Sequence, residues 1–274
     1  MCIRDSFINA AVIAKETGFT GVQLHSAHGY LLSEFLSPNI NQRSDEWGGS
    51  LQNRARLLLE TISGIRSKVG IDYPISVKLN SSDFQKGGFS HEESLEVAKM
   101  LDQSSLDLLE ISGGTYENFT ALDIGSMNLK ESRTIKPSRS TVVREAFFLK
   151  YASEIKEHIS IPLAVTGGFR STDGMNKALE TDACDIIGLG RPLCSEPDLV
   201  NKLLSGNKSS AILYENILEL GPWILGLNSP FKMIKSNNRV AQVYWCYRQI
   251  LEIADKRDVD PKISLISALI NHFR

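Results

Sequence analysis

Two histidines three positions apart, His25 and His28, with Tyr30 close behind, are the side chains of this sequence best suited to chemistry. The run Gly21-Val-Gln-Leu-His25 reads as a buried strand, so both imidazoles and the phenol fall at or just past its carboxyl end. Groups of these kinds can hold a developing oxyanion and deliver a proton. The same spacing also suits a zinc site or two ordinary loop histidines, and the three residues alone do not choose between these readings.

Further candidates stand at the ends of other apolar runs. Gly167-Gly168 and Gly190-Arg191 close two consecutive strand-like segments. Glycines let backbone approach a ligand and turn amide N–H groups toward anions, and a guanidinium adds a fixed fork suited to phosphate. The competing reading is a pair of tight turns with Arg191 bonded to a carboxylate. Lys78 lies near the end of the strand Pro74–Leu79, where an ammonium is costly to bury alone. It either faces an electron-rich ring atom of a cofactor or pairs with Glu110 on the next strand.

The elements that must position these residues alternate along the chain. A helix from Phe7 to Thr17 precedes the first strand. A helix from about Leu51 to Val69 carries Leu51, Ala55, Leu58, Leu59, Ile62, Ile65 and Val69 on one face. Strands are predicted at Pro74–Leu79, Leu106–Ser112 (before Gly113-Gly114), Pro162–Thr166 and Asp185–Leu189. Helices are predicted at His91–Leu101, Val142–His158, Thr172–Leu179 and Pro197–Leu204. The strands read as apolar runs, which predicts a parallel sheet buried on both faces. Every chemically suggestive residue lies at or beyond a strand's carboxyl end, where α/β sheets and barrels build their sites. No G-x-G-x-x-G follows the first strand, so a dinucleotide-binding fold is disfavoured. Beyond Gly206, two segments, 212–227 and 239–254, read as helices anchored by Trp223, Trp245 and Tyr247.

Composition sets the frame. The 274 residues are 42% hydrophobic and 23% charged, with a net charge of −2. That balance gives no support to nucleic-acid or membrane binding, and no apolar stretch is long enough for a spanning helix or a signal peptide. A cytoplasmic location is the expectation. Cys2, Cys184, Cys194 and Cys246 form no C-x-x-C pair and no metal or iron–sulfur spacing, and read as scattered reduced thiols.

The motifs together resemble the old yellow enzyme family, the FMN-dependent NADH:flavin oxidoreductases. The resemblance runs through Leu36-Ser-Pro38, Asn41-Gln-Arg43, Asp45–Arg56, Ile111–Tyr116, Thr166-Gly-Gly-Phe169 and Gly188-Leu-Gly-Arg-Pro192. It implies a TIM (β/α)8 barrel with FMN at its carboxyl face and NADH or NADPH as reductant. His25 and His28 would bond the substrate carbonyl oxygen and Tyr30 would protonate the alkene carbon. Lys78 would stand where many relatives have an arginine beside the flavin. Gly113 would line the cofactor site, and Gly167, Gly168, Gly190 and Arg191 would hold its phosphate. The substrate would be a small enone or similar molecule, and no metal is implied. The dienoyl-CoA reductase branch is disfavoured because its iron–sulfur cysteines are absent.

Only about the last five strand–helix units of such a barrel can be counted. The organisation expected is a non-native leader over 1–6, the C-terminal part of an FMN-binding barrel over 7–205, and a helical extension over 206–274 that docks or joins a homo-oligomer. The segment 115–140 is expected to be a lid. As a fragment the chain is expected to be inactive, with an open apolar barrel interior. The alternatives are a phosphate-binding barrel lyase or isomerase using Lys78 as a Schiff-base nucleophile, and a non-catalytic fragment.

Overall fold

The computed structural model describes residues 3–114, 148–255 and 257–272. The chain divides into two compact units, Met1–Phe169 with Met175–Gly188, and Arg170–Gly174 with Leu189–Arg274.

The first unit is an α/β structure. Helix α1 (Ile3–Glu16) leads into β1 (Val22–Ser26), the short α2 (Leu31–Leu36), α3 (Leu51–Val69) and β2 (Ile75–Asn80). Then come α4 (His91–Asp102), β3 (Leu108–Ser112), α5 (Leu149–Lys156), β4 (Leu163–Thr166), α6 (Thr172–Glu180) and β5 (Ile186–Gly188). Local signals explain the helix limits. Ser50 caps α3 by accepting from the Asn53 amide, and Gly70, at φ 85°, ends it with its N–H on Arg66 O. Ser90 and Glu93 form a reciprocal capping box at the start of α4. Helix α1 starts at Ile3 rather than Phe7, and Arg4 pairs with Glu60 of α3. The expected start of α5 at 142–147 and the lid at 115–140 lie outside the described residues.

The five strands are all parallel, in the order β1-β2-β3-β4-β5. Crossovers in parallel sheets are right-handed, so a strand order without reversal puts every intervening helix on the same face. That is the arrangement of a β/α barrel; a doubly wound sheet would reverse its order. Burial agrees. Leu24, Val77, Leu109, Ile111, Leu163 and Val165 lie on one face, all buried. The opposite face carries the polar Gln23, His25, Ser76, Lys78 and Glu110, partly buried or exposed, together with the buried Asn80, Ser112 and Ala164.

This corrects the reading of an apolar interior: the second face is largely polar. The sequences Ile75-Ser-Val-Lys-Leu79 and Leu108-Leu-Glu-Ile-Ser112 do alternate with period two, and their polar positions converge on one face through the register.

In the second unit, α7 (Arg191–Ser195) and α8 (Leu199–Leu204) precede α9 (Lys232–Ala254) and α10 (Leu265–His272). Ala241 and Trp245 of α9 pack with Leu265 and Ala268 of α10, joined by Tyr214 and Leu218. Trp245 donates its indole N–H to Ile263 O at 2.9 Å. The expected helix over 212–227 is absent. Two single 3-10 turns, Tyr214–Asn216 and Trp223–Leu225, stand in its place. Gly221-Pro222 accounts for the break, because proline lacks the N–H and disfavours helix at the residue before it. Trp223 is 91% exposed and anchors nothing within the unit, whereas Trp245 is buried as expected. The cysteines are not all scattered. Cys194 and Cys246 share a hydrogen bond, which lowers the Cys194 pKa to about 7. Among the described residues no helix is long and apolar enough to cross a membrane.

Candidate active site

Register builds the site. His25 of β1 pairs with Lys78 of β2, and Lys78 pairs with Glu110 of β3, so the three side chains form one rung across the polar face. Lys78 Nζ donates to Glu110 Oε1 at 2.7 Å, and Gln23 Nε2 donates to the other carboxylate oxygen at 2.8 Å. Both partners of the ion pair are largely buried, with side chains 18% and 13% exposed. Burial by itself would push the Glu110 carboxyl up. Hydrogen bonds from Lys78, Thr166 and Gln23 outweigh it and hold the pKa below the ordinary carboxylate value. Of the two readings of Lys78, the pairing with Glu110 is realised. An ammonium has three N–H groups, so two are left to face a ligand.

One rung further toward the carboxyl end, Asn80 pairs with Ser112. The loop after β1 folds over this rung. His28 sits in the left-handed region at φ 62°, which few residues other than glycine adopt, although histidine is among those enriched there. Two bonds hold it there. Its backbone N–H reaches Asn80 Oδ1 at 3.2 Å, and its ring Nε2 lies 2.7 Å from Ser112 Oγ. Asn80 in turn donates to Asp83 Oδ1 and Gly114 O, each at 3.0 Å, which fixes its amide orientation.

The three expected catalytic side chains are brought together. The His25 ring lies 5.1 Å from that of His28 and 5.0 Å from that of Tyr30. Burial, then the His25 and Lys78 charges, lowers the His28 pKa to about 4 against a smaller upward pull from Glu110. His25 is lowered by the same burial and by Lys78. Both imidazoles are therefore neutral at pH 7, suited to donating a hydrogen bond to an oxygen without carrying charge. Among the described residues no three His, Cys, Asp or Glu side chains are grouped to hold a metal ion.

The glycines divide. Gly113 follows Ser112, and a Cβ there would lie 2.5 Å from the Phe148 ring and 2.8 Å from Phe84. At Gly167, φ 144°, a Cβ would lie 2.6 Å from Phe148. Packing and backbone thus require both glycines without any ligand. Gly168 has φ 87°. Gly190 is different, because a Cβ there would meet nothing within 4 Å. Arg191 follows it in the second unit, exposed and without a hydrogen bond or ion pair among the described residues. The carboxylate nearest to claiming it, Glu215, is bonded to the buried Arg170 at 2.6 Å. The competing reading, Arg191 bonded to a carboxylate, finds no such bond among the described residues, although Glu215 acts on the guanidinium by charge, against desolvation and Arg170, which lower its pKa.

Residues 2–209 match the NADH:flavin oxidoreductase / NADH oxidase family. The chain belongs to that family. The NADH-dependent flavin oxidoreductase nadA of Aspergillus parasiticus is 39% identical over 208 residues, 76% of this chain and 44% of that protein. The NADH oxidase of Thermoanaerobacter brockii is 35% identical over 207 residues, 76% of this chain and 30% of that protein. This member of the NADH:flavin oxidoreductase family thus spans less than half the length of those two curated relatives. Among solved structures, a 2-naphthoyl-CoA reductase in complex with 2-naphthoyl-CoA superposes with TM-score 0.64 at 34% identity, over 74% of this chain and 29% of that one. The old yellow enzyme homologue of Zymomonas mobilis superposes with TM-score 0.58 at 24% identity over 77% and 54%, a likeness of fold.

Sequence reasoning singled out His25, His28, Tyr30 and Lys78 but passed over Ser112 and Asn80. A signal was present. Asn80 lies two residues beyond Lys78 and Ser112 two beyond Glu110, so strand periodicity puts them on the same face.

Proposed function

We propose that this chain forms the carboxyl-end face of an FMN-dependent oxidoreductase that takes hydride from NADH or NADPH and passes it to an alkene conjugated to a carbonyl. One observation carries the reading: two neutral imidazoles and a phenol are clustered above a Lys78–Glu110 rung at the carboxyl ends of parallel strands. The donor set suits a flavin nucleotide. In the first unit Lys78 has N–H groups left for a ring acceptor, and in the second unit the Arg191 guanidinium that follows Gly190 is of the kind that suits a phosphate.

FMN, when bound, supplies the hydride chemistry. The protein's part is orientation and charge. Lys78 would donate to the ring edge and Glu110 would keep that lysine in place. Because the pair is nearly neutral, its pull on a reduced ring is weaker than that of an unpaired cation. His25 and His28 would donate hydrogen bonds to the substrate carbonyl oxygen and stabilise the negative charge that grows there. Tyr30, half exposed, would give its proton to the adjacent carbon. The Lys78 nitrogen is engaged by the Glu110 carboxylate at 2.7 Å, which argues against the Schiff-base alternative.

Titrating FMN with the purified chain, followed by quenching of flavin fluorescence, tests the reading. Saturable uptake is expected, weakened about tenfold or more by Arg191→Ala through loss of a charge-assisted phosphate contact. It should be little changed by His25→Ala with His28→Ala. No uptake, or uptake indifferent to Arg191, would overturn the assignment.

A further inference from the structure

Ser112 ends β3, buried at 6% exposure, with Oγ 2.7 Å from His28 Nε2. A buried hydroxyl has one proton to give and rarely leaves it undonated. Among the described residues Nε2 is the acceptor that the Ser112 proton meets; the nearby Ser81 hydroxyl is itself buried without a partner. Ser112 therefore donates and Nε2 accepts. A neutral imidazole carries a single proton, so it must then lie on Nδ1. That nitrogen has no hydrogen bond to a described residue, and it is not among the buried atoms left without a partner. It is the open donor of the ring. The Asn80 bracket on the His28 backbone holds the imidazole in register with Ser112, since both Asn80 amide protons are spent on Asp83 and Gly114.

We propose that Ser112 is a positioning and specificity-determining residue: by donating to Nε2 it locks His28 in the Nδ1–H form, so that the site offers a hydrogen-bond donor to ligands bearing an acceptor oxygen and disfavours amines that need an acceptor. The ligand preference rests on the function proposed above, whereas the tautomer does not. The neighbouring groups agree with a neutral ring. His25 and Lys78 oppose a positive charge on it, and Glu110, which would favour one, is bonded to Lys78.

The test is histidine-labelled 15N NMR on the full chain near pH 7, using two-bond proton–nitrogen correlations. The His28 signals are assigned by their loss in His28→Gln. The wild type is expected to show Nδ1 as the protonated, pyrrole-type nitrogen and Nε2 as the pyridine type. Ser112→Ala should shift the ring toward the Nε2–H form, and Ser112→Thr, which keeps the hydroxyl, should restore the wild-type pattern. A wild-type spectrum with Nε2 protonated overturns the proposal even if no variant folds, and so does a Ser112→Ala spectrum identical to wild type. A second arm measures binding of 4-hydroxybenzaldehyde to the FMN-supplied chain. Loss of one donor in Ser112→Ala should weaken it about threefold to tenfold. If the wild-type chain binds no phenol, the proposed function fails, while the nitrogen spectra still decide the role of Ser112.

Discussion

The His28 environment makes a stability prediction with a definite sign. Its pKa falls from 6.5 to about 4 on folding, chiefly because burial penalises the charged ring, with His25 and Lys78 adding to the effect. A histidine with a lowered folded pKa binds fewer protons folded than unfolded between those two values, so stability rises with pH across that window. Above about pH 6.5 there is no penalty; below it the unfolded chain takes up a proton that the native ring resists. The whole shift is worth about 3 kcal/mol. At pH 5 the linkage amounts to about 2 kcal/mol, and solvent reaching the half-buried ring trims it further. The perturbation is His28→Gln, which removes the titration. The assay is urea denaturation of wild type and variant at about pH 7 and pH 5, followed by far-UV circular dichroism. Other groups titrate equally in both proteins, so the difference between them isolates His28. The variant is expected to lose less stability than wild type on acidification, by about 1–2 kcal/mol. Parallel acid losses in the two proteins would refute the reasoning, because they would mean that His28 titrates normally in the folded chain.

Other outcomes follow from packing. Lys78→Met should destabilise by about 3 kcal/mol, since Glu110 would be left charged and largely buried, and adding Glu110→Gln should recover part of that; thermal melts of the two variants decide it. At Gly188 a Cβ would lie 1.8 Å from Thr166 Oγ1, so Gly188→Ala should cost about 2 kcal/mol and Thr166→Ala should partly relieve it, read from melting temperatures. Asn238 is fully buried and bonds Leu220 N, Leu225 O and Ile234 O. Asn238→Leu should therefore cost about 3 kcal/mol and raise amide exchange in 218–240, while exchange in β2 and β3 stays unchanged.

Much of this was legible before any coordinates. The long helix at 51–69 was readable because its apolar positions repeat at helical spacing and Gly70 stops it. The five strands were readable because Gly, Pro or Asn brackets short apolar runs. Less legible was the segment 212–227, whose apolar content mimics a helix that Gly221-Pro222 forbids. Helix α10 escaped because eight residues give too short a period to stand out. The polar character of the second sheet face was less legible because the apolar content of the strands masks a period of two at Ser76, Lys78 and Glu110.

The sequence by itself determined that strands and helices alternate, and that His25, His28, Tyr30 and Lys78 each follow or end an apolar run. Those are local properties, set by side-chain chemistry within a few residues. The tertiary structure alone decided which of them meet. Register between strands some 30 to 50 residues apart aligns His25 with Lys78 and Glu110, and Asn80 with Ser112. A slip of one residue would turn each of these side chains to the opposite face. The left-handed turn at His28 exists because Asn80 and Ser112 are there to hold it. Neither residue is near His28 in the chain, so no local pattern could announce the bond that orients its ring.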